Sequence, residues 1–219
     1  MTQFSFDTIK EFDEHILKSI QGYDVLNFQI LSLAKYFLED DTNVYDLGCS
    51  TGKLLKVMAQ AYKSKKVDYF GLEKNGNFAK DFENQEKLHF LPTDLTKDLK
   101  ITNANIVLSI FTLQFIAPRF RQAIINEIYG GLNKGGAFIW AEKIYNKDSK
   151  LQEVFTFQLY DFKRPNFSEK EILDKEFDLR AIMKPMTEED NFALLKNAGF
   201  ITYDIFWKQN NFACFIAIK

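Results

Sequence analysis

Cysteine is scarce in this 219-residue chain, where Cys49 and Cys214 stand far apart and outside any paired motif. Neither a disulfide framework nor a zinc site is indicated. No apolar stretch approaches the length that spans a bilayer. The start, Met1-Thr2-Gln3-Phe4-Ser5-Phe6-Asp7, has neither the basic residues nor the apolar run of a signal peptide, so a cytoplasmic location is expected. A surplus of positive charge is also missing: the formal net charge is −2, from 28 Lys and Arg against 30 Asp and Glu. Direct binding to nucleic acid is therefore not indicated, and a small molecule is the expected partner. Histidine is limited to His15 and His89. The first falls outside the expected ligand crevice and the second sits mid-strand, so neither is expected to act as a base. No internal repeat and no low-complexity segment is found.

What the chain does have is a hydrophobic share of 46% and 23 phenylalanines, enough large aromatic side chains for a dense core. A single domain over 1–219 is expected. Apolar residues recur at helical spacing over 8–20 (Ile9, Phe12, Ile16, Leu17, Ile20) and 24–39 (Leu26, Phe28, Leu31, Leu33, Phe37), with Gly22 as the break. Two helices are thus expected within 1–40. From Asn43 short apolar runs at 44–47, 67–72, 88–91, 106–110 and 137–141 alternate with helical stretches that include 53–63 and 118–132. That alternation predicts βαβ units and a mainly parallel α/β sheet. A helical insertion over about 150–184 interrupts the series, and a helix over 187–197 follows, ending at Gly199. The last two β-rich runs, 201–208 and 212–218, are joined by Gln209-Asn210-Asn211 alone. So short a link excludes a parallel crossover and predicts an antiparallel hairpin.

Val44-Tyr45-Asp46-Leu47-Gly48-Cys49-Ser50-Thr51-Gly52 places an acid at the end of the first strand and glycines in the turn before a helix. Glycine there lets the backbone approach a ligand closely. The dinucleotide spacing G-x-G-x-x-G and the Gly-Lys-Ser/Thr ending of a P-loop are both absent. Glu73 ends the second strand, where a carboxylate can accept both hydroxyls of a ribose. Asp94 follows the third, in Leu91-Pro92-Thr93-Asp94-Leu95, where it can accept from an adenine amino group. Each acid alone could be merely solvated, but three at successive strand ends beside one glycine turn form a crevice at the switch point of the sheet. This arrangement resembles the class I S-adenosylmethionine methyltransferases. The resemblance implies a Rossmann-like, seven-stranded, mainly parallel sheet with a C-terminal antiparallel hairpin, and S-adenosylmethionine or a close derivative as cofactor.

Further segments resemble the carboxy-S-adenosylmethionine synthase family: Phe111-Thr112-Leu113-Gln114-Phe115, Gly130-Gly131-Leu132-Asn133-Lys134-Gly135-Gly136, Ala141-Glu142-Lys143, Asp161-Phe162-Lys163-Arg164, Asn166, Ser168-Glu169 and Phe206-Trp207-Lys208-Gln209-Asn210-Asn211-Phe212. Phe6-Asp7 and Ser19-Ile20-Gln21-Gly22-Tyr23 match as well, so the resemblance spans nearly the whole chain. It implies that Tyr23 closes over the ligand, that Gly48, Cys49 and Ser50 meet its amino-acid end, and that Glu73, Asp94 and Leu95 hold the nucleoside, with Asp46 in the same pocket. Glu73 stands where the family has Asp, Lys74 replaces a family Asn beside it, and Ile110 replaces another Asn at the end of the fourth strand. The family's Arg for the product carboxylate falls at Glu176, and an anion there is expected to repel a carboxylate.

In the family reaction prephenate loses its ring carboxylate as carbon dioxide, which a sulfonium ylide captures, giving carboxy-S-adenosylmethionine and phenylpyruvate for the making of 5-oxyacetyl uridine in transfer RNA. Such chemistry needs a dry pocket with cationic partners for anions. Lys143, Lys163, Arg164 and Arg180 are the candidate cations. Arg164 sits in a matched motif, and Arg180 lies one helical turn after Glu176, where it could take over the missing role. Two other readings stay open. One is a methyltransferase with a small-molecule or nucleic-acid acceptor, which needs mostly alignment and leaves S-adenosylhomocysteine; the other is a non-catalytic binding subunit. The resemblance also implies that the 150–184 insertion covers the pocket and forms a homodimer surface. Its aromatics Phe155, Phe157, Tyr160 and Phe162 are too dense for one buried stripe.

Overall fold

The computed structural model describes residues 12–81 and 84–219. In chain order these form α1 (Phe12–Ser19), α2 (Tyr23–Ala34), β1 (Thr42–Leu47), α3 (Lys53–Ala61), β2 (Val67–Glu73), β3 (Leu88–Pro92), β4 (Ala104–Ile110), α4 (Pro118–Gly131), β5 (Leu132–Tyr145), α5 (Ser149–Lys163), α6 (Glu169–Ile182), β6 (Met186–Thr187), α7 (Glu188–Ala198), β7 (Thr202–Gln209) and β8 (Phe212–Ile218). The first part of the helix expected over 8–20, and the Phe6-Asp7 match, lie outside the described residues. The second expected helix stops at Ala34 rather than 39. Phe37 and Leu38 continue its apolar pattern but sit in the connection to β1, where both still pack on the core.

The strand order is β3-β2-β1-β4-β5-β8-β7, with β1 to β5 parallel and β8 antiparallel to both of its neighbours. The expected parallel sheet and C-terminal hairpin are both present. An eighth strand, β6, corrects the expected count of seven by pairing with Ile144 and Tyr145. The reason is the 14-residue length of β5, which leaves β4 at Ala141 and β8 at Lys143 and so exposes backbone for one more partner.

Both faces of the sheet are covered, as a parallel sheet requires. Alternation along β1 and β4 sends Val44, Ile106 and Leu108 to one face, under Leu26 and Ile30 of α2 and Leu55 and Met58 of α3. Tyr45, Leu47 and Val107 go to the other, under Ile124, Ile125 and Ile128 of α4 and Leu195 of α7. Part of the phenylalanine surplus is core: Phe138 and Phe215 stack on Trp140, with centroids 5.4 and 4.7 Å away, while Phe28, Phe157 and Phe177 are exposed. The insertion proves to be two helices with local start signals. Asp148 accepts from the Leu151 N–H at 2.8 Å, and Ser168 with Glu171 forms a reciprocal capping box at the start of α6. Among the described residues no helix is long and apolar enough to cross a membrane.

Candidate active site

Strand order reverses between β1 and β4, and a cavity of about 470 Å³ opens beyond the carboxyl ends of these strands. Gly48 has φ 72°, and a Cβ there would lie 2.4 Å from the Thr112 side chain, so glycine is what lets the turns after β1 and β4 touch. Glu73 is aimed by two backbone donors: the Ser50 N–H reaches Oε2 at 3.0 Å and the Asn75 N–H reaches Oε1 at 2.8 Å. Asp94 turns on itself through Thr96, whose hydroxyl and N–H donate to Oδ1 at 2.7 and 3.1 Å, while Lys74 meets Oδ2 at 3.0 Å. These hydrogen bonds, from Thr96 and then Lys74, hold its carboxyl far below the usual carboxylate range. Asp46 differs from both. It is buried, no described residue donates to its carboxylate, and burial followed by the nearby Glu73 charge pushes it up to about 7.

A sulfonium nucleotide fits this donor and acceptor set. Its ribose hydroxyls suit Glu73, its exocyclic amine suits Asp94, and its positive groups suit an otherwise unpartnered Asp46. An aromatic wall closes the space, with Tyr23 and Phe111 at a centroid separation of 6.1 Å and Phe212 edge-on to Phe111 at 5.7 Å. Burial pushes the Tyr23 hydroxyl up to about 12, so it stays a neutral donor.

A further part of the cavity wall carries buried lysines. Lys143 of β5, Lys163 at the end of α5 and Lys175 of α6 all line it, together with Glu176 and His15. Glu176 bridges two of them, with Lys143 Nζ 3.3 Å from Oε2 and Lys163 Nζ 3.5 Å from Oε1. Burial raises the Glu176 carboxyl, but the two ammoniums together outweigh it and hold it below its ordinary value. Lys175 is hydrogen-bonded to His15 Nε2, and His15 is pushed down to about 4 by burial and then by the Lys175 charge. The cavity thus holds three strand-end carboxylates, with Lys74 on Asp94, and also the lysine cluster around Glu176.

A methyltransferase-domain family model matches residues 45–140, which hold the turn after β1, Glu73 and Asp94. Among curated proteins, a carboxy-S-adenosyl-L-methionine synthase of Staphylococcus epidermidis is 36% identical over 219 residues, covering 98% of this chain and 95% of that protein. The chain belongs to the carboxy-S-adenosyl-L-methionine synthase family. A synthase of the same name from Nautilia profundicola is 33% identical over 226 residues, covering 99% of this chain and 95% of its own. The fold extends more widely: human N-acetylserotonin methyltransferase, solved in complex with S-adenosylmethionine, has a TM-score of 0.62 at 18% identity over 95% of this chain and 55% of that one. The protein is an S-adenosylmethionine-dependent transferase.

Set beside the expectations for this family, the structure gathers Tyr23, Asp46, Gly48, Cys49, Ser50, Glu73, Lys74, Asp94, Leu95, Ile110 and Lys143 around the one cavity. Cys49 is buried, and burial pushes its thiol far up, so it is packing rather than a nucleophile. Arg164 is placed elsewhere. It caps α5 and faces solvent, ion-paired with Asp161 and with Glu169 at 3.5 Å. Consecutive helical residues point about 100° apart, so Lys163 turning inward sends Arg164 outward. Arg180 is also outside, lining a separate cavity of about 310 Å³. Four residues past Glu176 it lies about 6 Å further along the helix axis, beyond Lys143 and Glu176, which border both cavities. Two residues go the other way. His15, expected outside the crevice, lines it, and Lys175 was not singled out by any sequence signal. His89 is structural, stacked on Phe70 at 5.0 Å and 3.2 Å from Asp68 Oδ1.

Proposed function

We propose that the protein converts S-adenosylmethionine and prephenate into carboxy-S-adenosylmethionine and phenylpyruvate, in the cytoplasm and in the service of transfer RNA wobble-uridine modification. The observation that carries this reading is that one cavity holds both charge sets. Asp46, Glu73 and Asp94 supply acceptors for a cationic nucleoside, and Lys143, Lys163 and Lys175 supply ammoniums for carboxylates. The sulfonium group supplies the reactive methyl carbon when bound. The chain's own residues orient the nucleoside through Glu73 and Asp94, exclude water with Tyr23, Phe111 and Phe212, and neutralise carboxylate charge with lysines. In this reading Gly48, Cys49 and Ser50 meet the amino-acid end, and Ile110 packs against it.

Simple methyl transfer needs an acceptor nucleophile aligned with the methyl carbon and does not by itself call for a cluster of buried ammoniums, whereas a second substrate with two carboxylates does. The lysines therefore favour carboxylate chemistry. The test is to incubate the purified protein with both substrates and to identify the nucleoside by mass spectrometry. A product heavier than S-adenosylmethionine by one carboxyl group is expected, whereas S-adenosylhomocysteine alone would establish the methyltransferase. The α5–α6 insertion is proposed as the cap of this cavity and as the surface of a homodimer. Leu151, Val154 and Phe157 on α5 and Leu173 and Phe177 on α6 leave a large apolar area exposed.

A further inference from the structure

Glu176 lines the cavity between two ammoniums, yet it carries the sign of charge that would repel a ligand carboxylate. Its surroundings resolve the conflict. Its side chain is 12% exposed, and the two ammoniums it touches, Lys143 and Lys163, are 14% and 8% exposed. They arrive from different elements, β5 and α5, while Glu176 arrives from α6. Two ammoniums around one carboxylate leave a positive charge in a wall that holds little water, a costly state unless a further anion completes it. Each ammonium carries three donors, so pairing with Glu176 leaves others for a ligand.

We infer that Lys143 and Lys163 form a carboxylate subsite and that Glu176 is its positioning residue, bridging the two ammoniums so that a carboxylate of the ligand enters beside them. This rests on the nucleoside reading above and deepens it. The subsite is made of lysines, where a guanidinium would do the same work in a single side chain, and the two differ in one measurable respect. A guanidinium keeps its charge at any working pH, whereas a buried ammonium does not. Burial draws Lys163 below its ordinary range, the Lys143 charge adds to that, and Glu176 opposes both. The other groups facing this cluster are Lys175, also lowered by burial and the Lys163 charge, His15, which stays neutral, and Tyr160 of α5, raised by burial and then by the Glu176 charge and opposed by Arg180.

The experiment is calorimetric titration of the full chain with S-adenosylmethionine and with carboxy-S-adenosylmethionine between about pH 7 and about pH 10, read as the ratio of the two affinities. The wild type is expected to prefer the carboxylated ligand near pH 7, and to lose that preference by about tenfold on the alkaline side as the buried ammonium cluster loses charge. Lys163→Met should lack the preference at every pH, and Lys163→Arg should keep it at the alkaline end. Glu176→Gln removes the anion that supports both ammoniums, so the loss should move to lower pH, which a merely structural role would not do. A preference that is flat with pH and survives Lys163→Met overturns the subsite. A wild type that binds S-adenosylmethionine without any preference overturns it as well. A wild type that binds neither ligand instead overturns the nucleoside reading on which the subsite rests.

Discussion

Asp46 carries a pH dependence that falls near neutrality. Burial raises it to about 7 in the folded chain, well above its unfolded value, so the folded state holds a proton that the unfolded state has released. The sign follows: this group favours the apo fold below the unfolded pKa, and that contribution is lost as pH rises through about 7. Asp46→Asn should therefore raise the apo melting temperature at about pH 8, by a stability increment on the order of 2 kcal/mol. It should also remove the partner of the ligand's cationic end, so calorimetry should show S-adenosylmethionine affinity falling. A melting temperature that drops would show that the charge is satisfied in the apo protein. Glu73 offers a different test, since Ser50 and Asn75 donate to its carboxylate. Glu73→Ala should weaken S-adenosylmethionine binding at least about tenfold, or about 1.4 kcal/mol. Both residues were legible in the sequence because a strand end in a parallel sheet is a local signal, and parallel strands bring such ends together.

The α6 helix carries the residues that the sequence could not place. Its start is marked plainly by Ser168 and Glu171, and the capping box forms as that spacing requires. Ser168→Ala should cost about 1 kcal/mol of unfolding free energy in urea denaturation. Because Lys175 and Glu176 lie in the second turn, it should also weaken binding of carboxylated ligand more than binding of S-adenosylmethionine. Equal weakening would place the ammonium wall outside the ligand's reach. Restoring a guanidinium here is not a repair. Glu176→Arg would set a third cation against Lys143 and Lys163 in a nearly closed wall, and thermal melts should show it less stable than Glu176→Gln. Inward and outward sides of α5 were ambiguous in the sequence because Phe155, Phe157, Tyr160 and Phe162 fall on more than one face. Phe157 proves 60% exposed while Leu159 is buried.

The exposed apolar residues of α5 and α6 bear on the whole molecule. Phe157 and Phe177 are 60% and 67% exposed, and neither takes part in lining the main cavity. If this area is the homodimer surface, the pair of changes Phe157→Asp and Phe177→Asp should convert dimer to monomer in light scattering at micromolar concentration. Circular dichroism should meanwhile keep its native spectrum, because exposed sites tolerate charge. A wild type that scatters as a monomer would remove the dimer.

The sequence by itself determined the βαβ alternation, the closing hairpin and the three strand-end carboxylates that line the cavity. Each of these depends on residues near one another in the chain, where spacing and strand termini are direct physical signals. Only the tertiary structure decided the other half of the cavity. His15, Lys143, Lys163 and Lys175 come from four elements, and nothing local separates a lysine that turns inward from one that is solvated. The same reason sent Arg164 and Arg180 to the wrong side in the linear reading: a matched motif or an i,i+4 spacing gives a helix and a turn, but the direction of a side chain is set by what the helix packs against. Glu176, which reads as a repelling charge in the sequence, becomes a bridge once Lys143 and Lys163 are brought to it.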